Sequence, residues 1–344
     1  MASSRKERKK WKPKKEFWVF LFLAIIYLII LLYRAHIEQQ EQTSEFNGQQ
    51  EQTSSQLEIV PATPQIPEGL SSDVLKVHMI DCGQGDCFLF EYNGEFAMID
   101  CGPESNQEFV VSYMKSKNVD KLKFMMGSHQ HEDHMGAMAA ILDNFSCDTI
   151  YMPKYSKEIG WYVNLLAKMK KYHVKRINPK VGDTYYLGNV SFNVIGQLTS
   201  KEAESNVNNY STVIKVTYGD EDIIMTGDAE KKVERKIIES GISIEAEVLK
   251  LGHHGSDTST SNKFLELVNP EYALISCGVD NKYGHPCEET MEKLQKQNVK
   301  VYRTDEMGDI VMAVTPNAIY FDKQNGDYRC GIISEVPERM VQDD

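Results

Sequence analysis

Residues 128–137 read SHQHEDHMGA, with His129, His131, Asp133 and His134 inside six positions, directly behind the apolar run KLKFMMG (121–127). That run has the composition of a strand and ends in glycine, which places the histidines in the loop at a strand's end, ahead of a helix beginning near Met135. In extended backbone, residues two apart face the same way, so His129 and His131 can grip one cation together. Asp133 and His134 fall at the helix entrance, point elsewhere, and suit a second cation. Imidazole and carboxylate without thiolate are ligands for zinc, manganese or iron. A lone histidine is usually structural; this spacing is not explained by packing.

Further ligands stand downstream, again where apolar runs end. DIIMTGDAE carries Asp228 in a Gly-Asp corner, where a carboxylate can bridge two ions while the same turn starts a helix. LKLGHHGSDTS (249–259) places His253 and His254 between Gly252 and Gly255, and YGHP (283–286) sets His285 just before another helix. His36, His78 and His173 fall in linker, strand and surface contexts and receive no metal role.

The surrounding pattern is strand-rich. VLKVHMID, CFLFEY and EFAMID follow one another, the last two joined by Asn93-Gly94, a two-residue hairpin signal. Helical periodicity falls near 106–117, 158–172, 229–240, 260–268 and 287–297. Hairpin meanders mixed with strand–helix units predict an α/β fold of two sheets between outer helices, in one domain over 74–322, with a tail at 323–344.

Of the 344 residues 41% are hydrophobic and 26% charged, enough for a sizeable core. The net charge of −12 is uneven: residues 1–16 carry eight basic and two acidic side chains, +6, which leaves −18 on the rest. An acidic body is poorly suited to holding long nucleic acid by counterion release, so such a substrate must be gripped locally. Residues 17–33, FWVFLFLAIIYLIILLY, are uncharged and follow the basic cluster, which predicts a transmembrane signal anchor. The positive-inside rule then puts residues 1–16 in the cytoplasm and everything after Tyr33 outside, a single-pass cell-membrane protein. Residues 34–73 are polar, repeat EQTS and carry Pro61, Pro64 and Pro67, as expected of a disordered linker. Seven cysteines without CxxC spacing leave at least one unpaired and name no disulfide.

These motifs resemble the metallo-β-lactamase superfamily, and within it the C-terminal hydrolase domain of ComEC-type DNA-uptake proteins and their free-standing relatives. The resemblance runs in order through IDCGQGD (80–86), MIDCG (98–102), SHQHEDHMGA, NNYSTV (208–213), TGDAE (226–230), LKLGHHGSDTS and YGHP. It implies a four-layer αββα sandwich with two divalent cations at the sheet edges, zinc first and manganese second. His129 and His131 would serve the first ion, Asp133 and His134 the second, and Asp228 both. Many members carry a further histidine between the HxHxDH element and the bridging aspartate; only His173 lies there, without a motif around it. The HHGS element is expected to substitute, with His254 on the first ion, His285 on the second, and His253 the lesser choice. Asp100 resembles the family's early aspartate, which orients the loop histidines.

The expected activity is hydrolysis of a phosphodiester outside the cytoplasm through a metal-bridging hydroxide, with Asp133, Asp228 and His254 as catalytic residues. Two cations and two carboxylates leave the centre positive, which suits an anionic substrate such as DNA or a phosphorylated cell-envelope polymer. Asn209, Lys250 and Ser256 are the candidate substrate contacts. A hydrolase of lactones, thioesters or β-lactams is the alternative chemistry. A binding module with a structural metal is the alternative class, disfavoured because structural sites are closed and usually thiolate-rich. ComEC-type proteins also carry many membrane spans, and one apolar segment makes no channel.

Overall fold

The computed structural model describes residues 66–67, 73–154, 159–203 and 206–331. The strands are β1 (Leu75–Met79), β2 (Cys87–Tyr92), β3 (Glu95–Cys101), β4 (Lys121–Met126), β5 (Ser146–Cys147), β6 (Thr149–Tyr151), β7 (Lys175–Ile177) and β8 (Thr184–Leu187). They continue with β9 (Val190–Gly196), β10 (Val213–Tyr218), β11 (Glu221–Met225), β12 (Val248–Lys250), β13 (Tyr272–Ile275), β14 (Lys300–Arg303), β15 (Ile310–Thr315) and β16 (Ala318–Phe321). The expected hairpin joins β2 to β3: Asn93 and Gly94 both take positive φ, 49° and 77°, as a type I′ turn requires.

Two sheets result. One runs β16-β15-β1-β2-β3-β4-β6-β7, with β5 also paired to β4; the other runs β14-β13-β12-β11-β10-β9-β8. Their facing sides form one apolar layer in which Phe192 of β9 meets Phe90 of β2 and Phe124 of β4, ring centroids 5.2 Å apart in each pair and edge to face. Helices 107–116, 138–144 and 160–171 close the outer side of the first sheet, burying Val110, Leu142 and Leu165. Helices 231–240, 262–268 and 288–296 do the same for the second, burying Ile237, Phe264 and Leu294. The order helix, sheet, sheet, helix is the expected α/β sandwich.

The site follows from topology. β3 pairs β4 in parallel, and β11, β12 and β13 are mutually parallel, so within each sheet their carboxyl ends share an edge. The loops after β4, β11, β12 and β13 carry His129, Asp228, His253 and His254, and His285. The helix expected near Met135 is two pieces, Glu132–Met135 and Met138–Asn144. After Asp322 the chain packs on: Gly326 N–H donates to the Val301 carbonyl at 2.7 Å and Gly331 N–H to the Pro286 carbonyl at 2.8 Å. The apolar segment 17–33 lies outside the described residues, and no helix among those described is long and apolar enough to cross a membrane.

Candidate metal centre

Asp100 closes β3 with a positive φ of 53°, and its carboxylate organises the loop after β4. Oδ1 accepts from Ser128 N–H at 2.8 Å; Oδ2 accepts from Ser128 Oγ at 2.7 Å and meets His134 Nδ1 at 2.9 Å. Ser128 Oγ in turn lies 3.0 Å from His129 Nδ1. Both rings are thereby held by their Nδ1 edges, the expected role of Asp100 toward the loop histidines. The Nε2 atoms are left to face Asp228, buried at the end of β11.

Asp228 presents one oxygen to each of two groups. Oδ2 lies 3.7 Å from His129 Nε2, which is 2.9 Å from His131 Nδ1, and 3.8 Å from His253 Nε2. Oδ1 lies 3.2 Å from His134 Nε2 and 3.6 Å from His254 Nε2. Asp133, at the entrance of helix 132–135, offers Oδ2 at 3.5 Å from His254 Nε2 and Oδ1 at 4.0 Å from His134 Nε2. The histidine pair straddles Asp228 because His253 and His254 both adopt the left-handed conformation, φ 51° and 54°.

The predicted residues thus converge with three differences. His254 sits with His134 rather than with His129 and His131, and it is His253 that approaches the first group. His285 lines the cleft but, like Asp133, stays outside both tight clusters; its ring centroid is 5.4 Å from His253 and 6.3 Å from His254, whereas the Asp133 oxygens border the second cluster. Asp86, the last residue of the GQGD motif, joins the second cluster without having been expected as a ligand. The motif's second glycine could have flagged it: a Cβ on Gly85 would stand 2.2 Å from the Asp133 carbonyl, so the two loops need glycine to meet.

Of the substrate contacts expected, none lines the cleft among the described residues. Lys250 is fully buried, its ammonium 2.7 Å from Asp86 Oδ2, because the pleat turns it inward at the end of β12. Asn209 is buried with its amide on Glu230 at 3.5 Å, and the buried Ser256 Oγ pairs with Thr258 Oγ1 at 3.1 Å. The cleft measures about 800 Å³ and is lined by Gln84, Asn106, Lys282 and Tyr283 together with His131, Asp133 and Asp228.

Electrostatics fit a cation at this site. His134 Nε2, His254 Nε2 and Asp228 Oδ1 are buried without a hydrogen-bond partner among the described residues, and all three point at one another. Burial alone would strip the proton from His134, but Asp228, Asp133 and Asp100 outweigh it and hold this imidazole well above its usual range. His254 is likewise pushed up to about 10 against burial, chiefly by Asp228. Burial and the neighbouring His134 charge instead drive His129 well below its usual range, leaving a neutral ligand. Neutral or displaceable imidazoles beside ionised carboxylates are a donor set for divalent metal, with Asp228 central.

A family model described as "Metallo-beta-lactamase superfamily" matches residues 80–279. ComE operon protein 3 of Bacillus subtilis (strain 168) is 28% identical over 253 residues, 68% of this chain and 32% of that protein. Competence protein ComA of Neisseria gonorrhoeae is 27% identical over 246 residues, 70% of this chain and 33% of the relative. The chain therefore spans about a third of the length of these relatives. Among solved structures, the metallo-beta-lactamase fold protein YhfI of B. subtilis is similar over 70% of this chain and 100% of its own, at 16% identity and a TM-score of 0.49.

Proposed function

The chain belongs to the metallo-β-lactamase superfamily of metal-dependent hydrolases, and from that premise we propose that it is a dinuclear phosphodiesterase, anchored in the membrane by residues 17–33 with its hydrolase domain outside the cytoplasm. One observation carries the dinuclear reading: the two oxygens of Asp228 face two separate histidine groups. His129, His131 and Asp228, joined by His253, would hold one ion; His134, His254, Asp133 and Asp228 would hold the other. Two divalent cations there supply Lewis acidity and a nucleophile at neutral pH, with zinc the first choice and manganese the second.

The chain's own residues do the rest. Asp100 and Ser128 fix the orientation of His129 and His134 from behind, so that Nε2 faces the cleft. Asp133 is 32% exposed and is ionised in the metal-free chain: burial would raise it, yet the His134 and His254 charges hold it well below the usual carboxylate range, and a bound cation would take over that role. It therefore serves as ligand and orienter rather than as a proton donor. His285, pushed down to about 4 by burial and by the adjacent His254 and His253, stands neutral at the cleft. An anionic ester suits a floor that stays positive with two ions and two carboxylates, as in DNA or a phosphorylated envelope polymer.

The purified full chain, loaded with zinc or manganese, is expected to cleave bis-p-nitrophenyl phosphate and to lose at least about a hundredfold in rate in His129→Ala/His131→Ala, as removal of metal-supplied catalysis demands. Unchanged hydrolysis in that double variant, or turnover of a lactone or nitrocefin in preference to phosphodiesters, would defeat the reading.

A further inference from the structure

Lys250 is an ammonium with no exposure at all, placed beside a centre built for divalent cations. Like charges brought together in a dry interior are unfavourable, so the cation must be matched. Its Nζ lies 2.7 Å from Asp86 Oδ2 and donates to the Leu251 carbonyl at 2.9 Å. Asp86 is itself buried, 1% exposed, and by distance alone groups with His134, Asp228 and His254.

Direction separates Asp86 from that group. His254 turns Nε2 toward Asp228 and Asp133, at 3.6 and 3.5 Å, and turns Nδ1 toward the Ser276 carbonyl at 2.8 Å and Asp86 Oδ1 at 3.3 Å. His134 turns Nε2 toward Asp228 at 3.2 Å and Nδ1 toward Asp100 at 2.9 Å, with Asp86 Oδ2 3.9 Å from that same Nδ1. The two ring nitrogens of an imidazole are distinct and point to different sides, and what one nitrogen holds sets what the other can do. An ion held by both Nε2 atoms has Asp86 behind the rings.

We propose that Lys250 withholds Asp86 from the second metal and makes it a positioning residue for His254. One Asp86 oxygen is pinned to the ammonium; the other, buried and without a hydrogen-bond partner among the described residues, lies 3.3 Å from the His254 Nδ1 edge, where the Ser276 carbonyl accepts the Nδ1 proton at 2.8 Å and leaves Nε2 to face the ion. The ligand set stays at two imidazoles and the Asp133 and Asp228 carboxylates. A third carboxylate would remove one positive charge from the floor and turn the site toward harder, oxygen-preferring cations such as manganese.

The test compares the full-length wild type with Lys250→Met, Asp86→Asn and the double variant, none of which needs turnover to be read. Metal per chain is counted by mass spectrometry, the ligand field is read from the cobalt(II) absorption spectrum, and zinc and manganese compete for the site. Lys250→Met should keep its second ion, change the cobalt spectrum, and gain about tenfold in preference for manganese over zinc as the freed carboxylate turns in. Asp86→Asn should keep the wild-type spectrum while its second ion binds about 10–100-fold more weakly, the usual loss for an orienting partner. The double variant should show the Asp86→Asn spectrum, since Lys250 acts only through Asp86. A spectral change from Lys250→Met that persists in the double variant overturns the proposal. So does an Asp86→Asn spectrum that has lost a ligand, which decides the matter even if Lys250→Met does not fold. A wild-type chain that takes up no metal sinks this proposal together with the metal centre itself, and is told apart from the other outcomes by the count.

Discussion

Two consecutive non-glycine residues in the left-handed region, His253 and His254, each cost on the order of 1–3 kcal/mol in backbone strain. The turn places one ring on each side of Asp228, so the strain is spent where it assembles ligands. The same carboxylate governs protonation. In the metal-free chain His134, held well above its usual range, and His254, near 10, keep their protons at neutral pH, because Asp228 and its neighbours outweigh burial. A cation must displace those protons, so its affinity rises with pH and falls as the solution is acidified. Titrating zinc into metal-free protein at pH 7 in weak buffer should release protons from both imidazoles, read with an indicator dye. Uptake without proton release would contradict the electrostatics. At this scale the sequence was most informative in the HxHxDH loop, where His129, His131, Asp133 and His134 lie within six residues. It was least informative where the pairing of loops decides: nothing in HHGS says which ring takes which side of Asp228, because that depends on φ. Lys250 was misread as a substrate contact for a related reason, since strand pleat and a distant Asp86 determine where its charge goes.

At the scale of elements, the strands and helices were legible because their apolar spacing is regular. The helix expected at 287–297 spans 288–296, and that at 106–117 spans 107–116. The loop between β4 and helix 138–144 was harder: Glu132–Met135 is a single short turn, set by the approach of Gly85 to Asp133 rather than by periodicity. What positions the site is the sheet-on-sheet layer, and Phe192 is wedged between Phe90 and Phe124 within it. Phe192→Ala should therefore cost about 3–5 kcal/mol by urea denaturation, through lost contact and the cavity left behind. A loss under about 1 kcal/mol would mean the two sheets repack freely.

For the whole molecule, charge and topology set the working arrangement. The −18 on residues 17–344 repels polyanions, so on the proposed reading an anionic substrate would have to be captured at the metal floor and by cleft residues such as Lys282 and Tyr283. The basic cluster before residues 17–33 argues for an anchor with the domain outside. The full chain is then expected in the membrane fraction, with its hydrolase domain cut by protease added to cells stripped of wall; a chain that stays soluble in low salt would refute the anchor. The fold class could be read from motif order alone, whereas the exclusion of His285 and the arrival of Asp86 depend on tertiary distances that no local pattern encodes.

The central claim is that one carboxylate, Asp228, joins two metal sites. Metal content of the purified full chain tests it most directly, comparing wild type with Asp228→Ala under identical loading with zinc. Two ions per wild-type chain, falling to one loosely held ion or none in the variant, is the predicted result. One ion in the wild type, or two retained without Asp228, would contradict it.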